Sequence, residues 1–230
     1  MKESIEILDP IPVEITADEI LGRMRIRKIN PDLESMVCRI VKQAEKISRP
    51  KGVFRISFIE KCSDETVSID GIVFTSRILA VNFKDVHRVF PFVVTAGMEL
   101  ETLKPGKDRF IEEYVIDVVK EHILSKAREH LVHYITDKYK ITKYGYIEPG
   151  SLSSWPVEQQ KELFQLLGDV EKMIGVKLTE SFMMRPIKSV SGILFPTEID
   201  FQTCMLCPRE KCPERKAPYN PEMLEKYSLK

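Results

Sequence analysis

The chain has 230 residues, 43% of them hydrophobic, which is enough to bury a substantial core. Lys and Arg number 35 and so do Asp and Glu; a net charge of zero excludes a general nucleic-acid binder and a polybasic membrane-surface protein, both of which need a cationic surplus. The longest apolar run, Val89 to Met98, holds a Pro and a Gly and falls short of the ~20 residues a bilayer span requires, and Met1 to Glu6 lack the apolar core of a signal peptide, so a soluble cytoplasmic protein is expected.

In chain order, Pro10-Ile11-Pro12 open the folded part and Val13 to Ile15 read as a short strand. Thr16 or Asp18 can cap a helix to about Arg25. Pro31 and Asp32 start a second helix, whose Leu33, Met36, Val37, Ile40, Val41 and Ala44 recur at three- and four-residue spacing and form one apolar stripe; Pro50 and Gly52 end it. Residues 53–58 and 67–74 are rich in β-branched and aromatic side chains and read as strands, Ser76 to Val81 as a short helix, and Val89 to Thr95 as a buried strand ended by a turn at Gly97. Asp108 is the expected cap of a long helix to about Lys138, with Ile111, Val115, Val118, Val119, Ile123, Ala127, Leu131 and Tyr134 as its apolar positions.

Gly145 and Pro149-Gly150 mark a loop, Pro156 suits a helix start that Gly168 ends, and Asp169 restarts a short helix that stops at Gly175. Residues 176–182 and 189–195 read as a strand pair, and the tail from Thr197 is rich in Pro and Cys and irregular. Helices and strands mix without regular βαβ alternation, which points to an α+β fold with an antiparallel sheet. No break in composition demands two domains. One domain over 1–230 is expected, with an N-terminal helix-and-strand part (1–107), a motif-bearing part (108–195) and a Cys-rich tail (196–230).

Two constellations stand out. The first runs through Pro149-Gly150, Leu166-Leu167, the string Gly175 to Ser181, Met184-Arg185-Pro186 and Ser189-Val190-Ser191-Gly192. Ser189 and Ser191 fall on one strand face and Val190 on the other, and Gly192 permits close approach by a ligand or by another backbone. The same pattern also describes a sheet edge with solvated serines and a bulge. These strings, with the long helix before them, resemble the reactivation (activation) domain of cobalamin-dependent methionine synthase; the match is strong over 149–195, moderate from about 108 and weak before that. In the weak region the chain is more similar to small, free-standing members of the family.

The resemblance implies a twisted antiparallel sheet flanked by helices. It also implies an accessory role: reductive methylation of inactive cob(II)alamin, carried by a partner, with S-adenosylmethionine as methyl donor. The partner implied is the cobalamin-binding part of a split methionine synthase, with an electron-donor protein as a further partner; the alternative is a reductive activator of other corrinoid methyltransferases that bears a metal cluster at Cys204, Cys207 and Cys212. The task is positioning a sulfonium methyl near cobalt with water excluded, so no catalytic acid, base or nucleophile is required. Family resemblance assigns Tyr146, Pro149, Gly150, Ser151, Glu180, Ser189 and Ser191 to the cofactor-binding surface. The family has an Arg and a Tyr around the Pro-Gly element that help hold the donor. Here those positions are Tyr146 and Ser151, with Lys143 and Arg185 as nearby candidates to supply the charge.

The second constellation is Cys204-x2-Cys207-x4-Cys212, three of five cysteines in nine residues. Thiolates at this spacing can converge on zinc or an iron–sulfur cluster, with Cys62, Cys38, a His or an external molecule as fourth ligand. Redox-active or corrinoid-facing thiols and plain structural cysteines are the other readings. His122, His130 and His133 are expected at the surface or boundary of the long helix, Glu112, Glu113, Asp117, Lys120 and Glu121 on its solvated face, and Trp155 in packing.

Overall fold

A computed structural model describes residues 5–26, 28–106, 109–198, 201–212 and 215–227. Its elements are β1 (Ile5–Leu8), α1 (Ala17–Arg23), α2 (Pro31–Ile47), β2 (Lys51–Arg55), β3 (Ser57–Cys62), β4 (Thr66–Ile69), β5 (Ile72–Thr75), α3 (Arg77–Phe83), β6 (Arg88–Thr95), α4 (Phe110–Tyr139), β7 (Tyr144–Ile147), α5 (Gln160–Leu167), α6 (Val170–Ile174), β8 (Lys177–Leu178), β9 (Met184–Arg185), β10 (Ser189–Pro196) and α7 (Pro221–Lys226).

Eight of the strands form one antiparallel sheet around β6. β10 lies along one edge of β6, from Ser189 opposite Thr95 to Leu194 opposite Phe90. On the other edge β2 and β3 follow one another, Lys51 pairing with Thr95 and Ser57 with Val89. Outward from these, β1 joins β2, the β4–β5 hairpin joins β3, and β7 joins β10. Successive residues of a strand face opposite ways, and here both faces are covered. Phe54, Phe90, Phe92, Val94 and Leu194 enter a core with α1, α2 and α4, while Val53, Val89, Val93, Ile193 and Phe195 enter a second core with α3, α5, α6 and the tail. Burial on both faces is why β6 reads as an unbroken apolar run rather than as an alternation.

Local signals hold where they are backbone chemistry. Thr16 caps α1 in a reciprocal capping box with Glu19, and Asn30 caps α2 ahead of Pro31. The run 67–74 folds back on itself as β4 and β5, with Asp70 at φ +45° and Gly71 at φ +80° in the turn. Three expectations change. Residues 13–15 are not a strand: Pro10 and Pro12 withhold ladder donors, and the chain passes directly into the α1 cap. The 176–182/189–195 pair does not form, because the chain reverses at Thr179–Phe182, where the Phe182 N–H donates to the Thr179 carbonyl at 3.0 Å. β8 therefore pairs with β9, and β10 is taken into the main sheet by β6 and β7. β7 is a strand where Gly145 predicts a loop; that glycine is buried against the Phe195 ring, 2.8 Å from where a Cβ would stand.

On α4 the expected apolar stripe is buried at Val115, Val119, Ile123, Ala127 and Leu131, whereas Ile111 and Tyr134 are exposed. The expected cap, Asp108, lies outside the described residues. Two polar residues read as surface are buried instead. Glu112 meets Arg39 of α2 at 2.6 Å, and His122 is packed against α1 with its Nε2 3.5 Å from Glu19. Burial pushes the His122 pKa below the usual imidazole range despite that carboxylate. Both are explained by helices crossing a face that a one-helix reading leaves open. Trp155 is fully buried, edge-on to Phe74. No helix among the described residues is long and apolar enough to cross a membrane.

Candidate functional site

β7 is an edge strand, and the tail runs along it: the Thr203 hydroxyl donates to the Tyr146 carbonyl at 3.3 Å. Phe201, Leu206 and Tyr227 hold the tail in the second core. Between this covered edge and α4 lies a groove made of three adjoining cavities of about 270, 260 and 290 Å³, all of them lined by Ser125 and Arg128. One end is walled by Ile187, Lys188, Ser189 and Val190. The middle is walled by Glu121, Tyr146, Glu148 and Ser151, together with the tail residues Cys204, Cys207, Cys212 and Lys216.

Charge is concentrated in the middle. Arg128 donates from Nη1 to Glu148 Oε1 at 2.9 Å and stacks over Tyr146, its Cζ 5.5 Å from the ring centroid. Lys216 also sits 5.5 Å from that centroid and donates to the Tyr146 hydroxyl at 2.7 Å. One aromatic ring is thus contacted by two cations, an arrangement the ring quadrupole favours. Burial works against the Arg128 charge, but the Glu148 carboxylate outweighs it and moves the guanidinium pKa up. At the Lys188 end, burial again opposes the charge, and the carboxylates of Asp117 and Glu121, at 3.0 and 3.1 Å, raise the ammonium's pKa. A guanidinium carries five donors, and a two-pronged carboxylate contact with it is geometrically specific.

The structure brings Tyr146, Ser151, Cys204, Cys207 and Cys212 into one cavity, although the sequence placed them in two separate constellations, and Ser189 lines the adjoining cavity. Ser151 turns its hydroxyl to the Glu148 carbonyl at 2.6 Å, and the Ser189 hydroxyl lies 2.8 Å from the Pro186 carbonyl. Pro149 and Gly150 shape the turn below the groove: Gly150 has φ +79°, and its N–H donates to the Trp155 carbonyl at 2.8 Å. Ser191 is buried on the opposite face and donates to Gln160 Oε1 at 3.0 Å, while Glu180 is exposed in the β8–β9 turn. Lys143 lines a separate cavity of about 560 Å³ with His87 and Arg88, and Arg185 is exposed on β9; neither reaches the groove. Of the cations that line it, Arg128 and Lys216 carry no motif. Helical spacing alone places Arg128 one turn beyond Leu124, at the margin of the buried stripe, and that was the one available signal. Among the described residues, no three His, Cys, Asp or Glu side chains converge as a metal site requires.

Comparison with known proteins bears on this arrangement. Residues 108–203 match the model of the family described as "Vitamin B12 dependent methionine synthase, activation domain". Among solved structures, the MetH reactivation domain bound to AdoHcy has the same fold, with a TM-score of 0.53 and 15% sequence identity over 87% of this chain and 81% of that one. The matched segment supplies α4, β7 and β10, the long walls of the groove, and ends just before Cys204. Over residues 108–203 this chain is thus similar to the activation-domain family of vitamin B12 dependent methionine synthase.

Proposed function

We propose that the chain acts in the reactivation of a cobalamin-dependent methyltransferase, methionine synthase in the first instance. In this reading the groove along α4 holds a donor of the S-adenosylmethionine class, and the groove face docks on a separate cobalamin-bearing partner. The observation that carries the reading is the coincidence of the family match with the groove walls, where Arg128 and Lys216 flank Tyr146. The donor's carboxylate suits the two cations, its adenine suits the mixed apolar and hydroxyl-bearing walls, and the groove keeps both within one elongated cleft. The chain's own residues orient and desolvate; S-adenosylmethionine supplies the methyl group, the partner supplies the cobalamin, and a further protein supplies the electron.

Isothermal titration with S-adenosylmethionine and S-adenosylhomocysteine tests donor binding. Saturable heat is expected, and Arg128→Ala should weaken it by about tenfold or more, the effect of losing a charge-assisted hydrogen bond. No heat at millimolar donor, or an unchanged affinity in Arg128→Ala, overturns the assignment of the groove. Mixing the chain with a cobalamin-binding methyltransferase inactivated to the cob(II)alamin state, with donor and reductant, tests the role; activity should return only when the chain is present.

A further inference from the structure

We infer that the cavity between the C-terminus of α4 and the start of β6 binds a small phosphate monoester, with Arg88 as the residue that anchors the phosphate. This cavity, of about 560 Å³, shares no lining residue with the groove, so the assignment does not rest on the donor reading. Its size suits an organic molecule rather than a bare ion.

Four segments build it: the α3–β6 turn, the first residue of β6, the α4–β7 turn and the end of β10. Backbone hydrogen bonds fix each of them. The Val86 N–H donates to the Phe83 carbonyl at 3.1 Å, and the His87 carbonyl accepts from the Ile59 N–H at 3.1 Å. Lys140 ends α4 in the left-handed conformation at φ +54°, and the Ile141 N–H returns to the Thr136 carbonyl at 2.9 Å. The Thr197 N–H donates to the Lys143 carbonyl at 3.1 Å. Arg88, Lys140 and Lys143 are thereby brought to one cavity from segments distant in sequence.

Arg88 is half-buried, and its Cζ lies 5.5 Å from the Phe90 ring centroid and 5.6 Å from that of Tyr139. The two rings hold the guanidinium by their faces, which sets its position without using its N–H donors. Among the described residues no carboxylate, carbonyl or hydroxyl accepts from those donors. A guanidinium carries five of them, and a half-buried one with none engaged by protein is open to a ligand. Asp85 and Glu198 also line the cavity, yet neither forms an ion pair with Arg88, Lys140 or Lys143. Lys143 donates instead to the Glu198 carbonyl at 3.3 Å. The cations therefore outnumber the carboxylates and keep their charge for a ligand.

The donor set selects phosphate. A guanidinium fork gives two parallel hydrogen bonds to a phosphate or to a carboxylate. A carboxylate spends both oxygens on the fork, whereas a phosphate monoester keeps a further oxygen for the ammonium groups of Lys140 and Lys143. Val86, Ile141 and Pro196 supply an apolar wall for the rest of the ester.

The test is isothermal titration of the whole chain with phenyl phosphate, and with benzoate and phenol as comparisons. Phenyl phosphate carries no adenosine or amino-acid group, so this site and the donor groove are read independently. Saturable heat is expected with phenyl phosphate, at least about tenfold weaker binding with benzoate, and none with phenol. Arg88→Lys keeps the charge and loses the fork, and should weaken phenyl phosphate at least about tenfold. Lys140→Ala, at an exposed position, should weaken it about threefold, while Lys46→Ala on the exposed side of α2 should leave it unchanged. Circular dichroism checks that each variant is folded. If Arg88→Lys fails to fold, Lys140→Ala carries the test. No saturable heat at millimolar phenyl phosphate, equal binding of benzoate or phenol, or unchanged affinity in the folded variant overturns the site.

Discussion

The motif-bearing strand and the groove beside it put their polar residues to opposite uses. On β10, Ser191 is enclosed and bonded to Gln160, whose amide nitrogen donates in turn to the Phe182 carbonyl at 2.9 Å. At Gly192, a Cβ would stand 2.8 Å from the Ile147 carbonyl oxygen and 3.0 Å from the Phe92 ring. Along the groove, by contrast, Arg128, Tyr146 and Lys216 keep their polar atoms at the surface of a cleft. The residues that make the family recognisable at β10 are therefore held by packing, while the chemistry offered to a ligand comes from residues distant from one another in sequence. A string of matched residues is strong evidence for a fold because close packing tolerates few alternatives. It says less about binding, where charge can be supplied from another element.

Three measurements sharpen or break this contrast, in order of expected size. Gly192→Val should cost about 3 kcal/mol in chemical denaturation, since the side chain must displace a strand carbonyl and a buried ring; a loss within error would show that β10 yields and that its motif is not a packing constraint. Ser191→Ala should cost about 1–2 kcal/mol by leaving Gln160 Oε1 without its donor, with donor affinity in the groove unchanged. Loss of donor affinity with stability intact would move Ser191 to the binding side of the contrast. The smallest effect concerns the opposite margin of α4. The Lys126 ammonium at 2.6 Å, helped by the Thr16 N–H, holds the Glu19 carboxyl down to about 2 from its ordinary 4.5. A depressed carboxyl stabilises the fold above its unfolded pKa, and that contribution is lost as pH falls from about 4.5 to about 2. Wild type should lose more stability across that window than Glu19→Gln, and parallel pH profiles would show the contact to be screened by solvent.

Much of the fold was legible in the residues. The capping box at Thr16, the stripe of α2, the buried run of β6 and the turn at Gly97 are local backbone or burial signals that need no partner to be read. β7 was not legible, because Gly145 looks like a loop residue until Phe195 is seen to fill the space above it. Nor was the strand exchange at β10, since local alternation cannot say which neighbour a strand will choose. For the site, the sequence points to Tyr146, Ser151, Ser189 and the three cysteines, but as members of two unrelated groups. Glu180 and Ser191 belong to the same motif and lie elsewhere.

Sequence by itself determined the class of fold, the position of most helices and the central strand, and the family that residues 108–203 resemble. These follow from periodicity, capping and close packing, which act between near neighbours or leave a recognisable string. Only the tertiary structure decided that the Cys-rich tail lies along β7 and shares one cavity with Tyr146, Arg128 and Lys216. The physical reason is that an edge strand and a partly apolar tail satisfy each other's hydrogen bonds and buried surface only after the sheet has formed. Contacts between such distant segments leave no periodic trace along the chain.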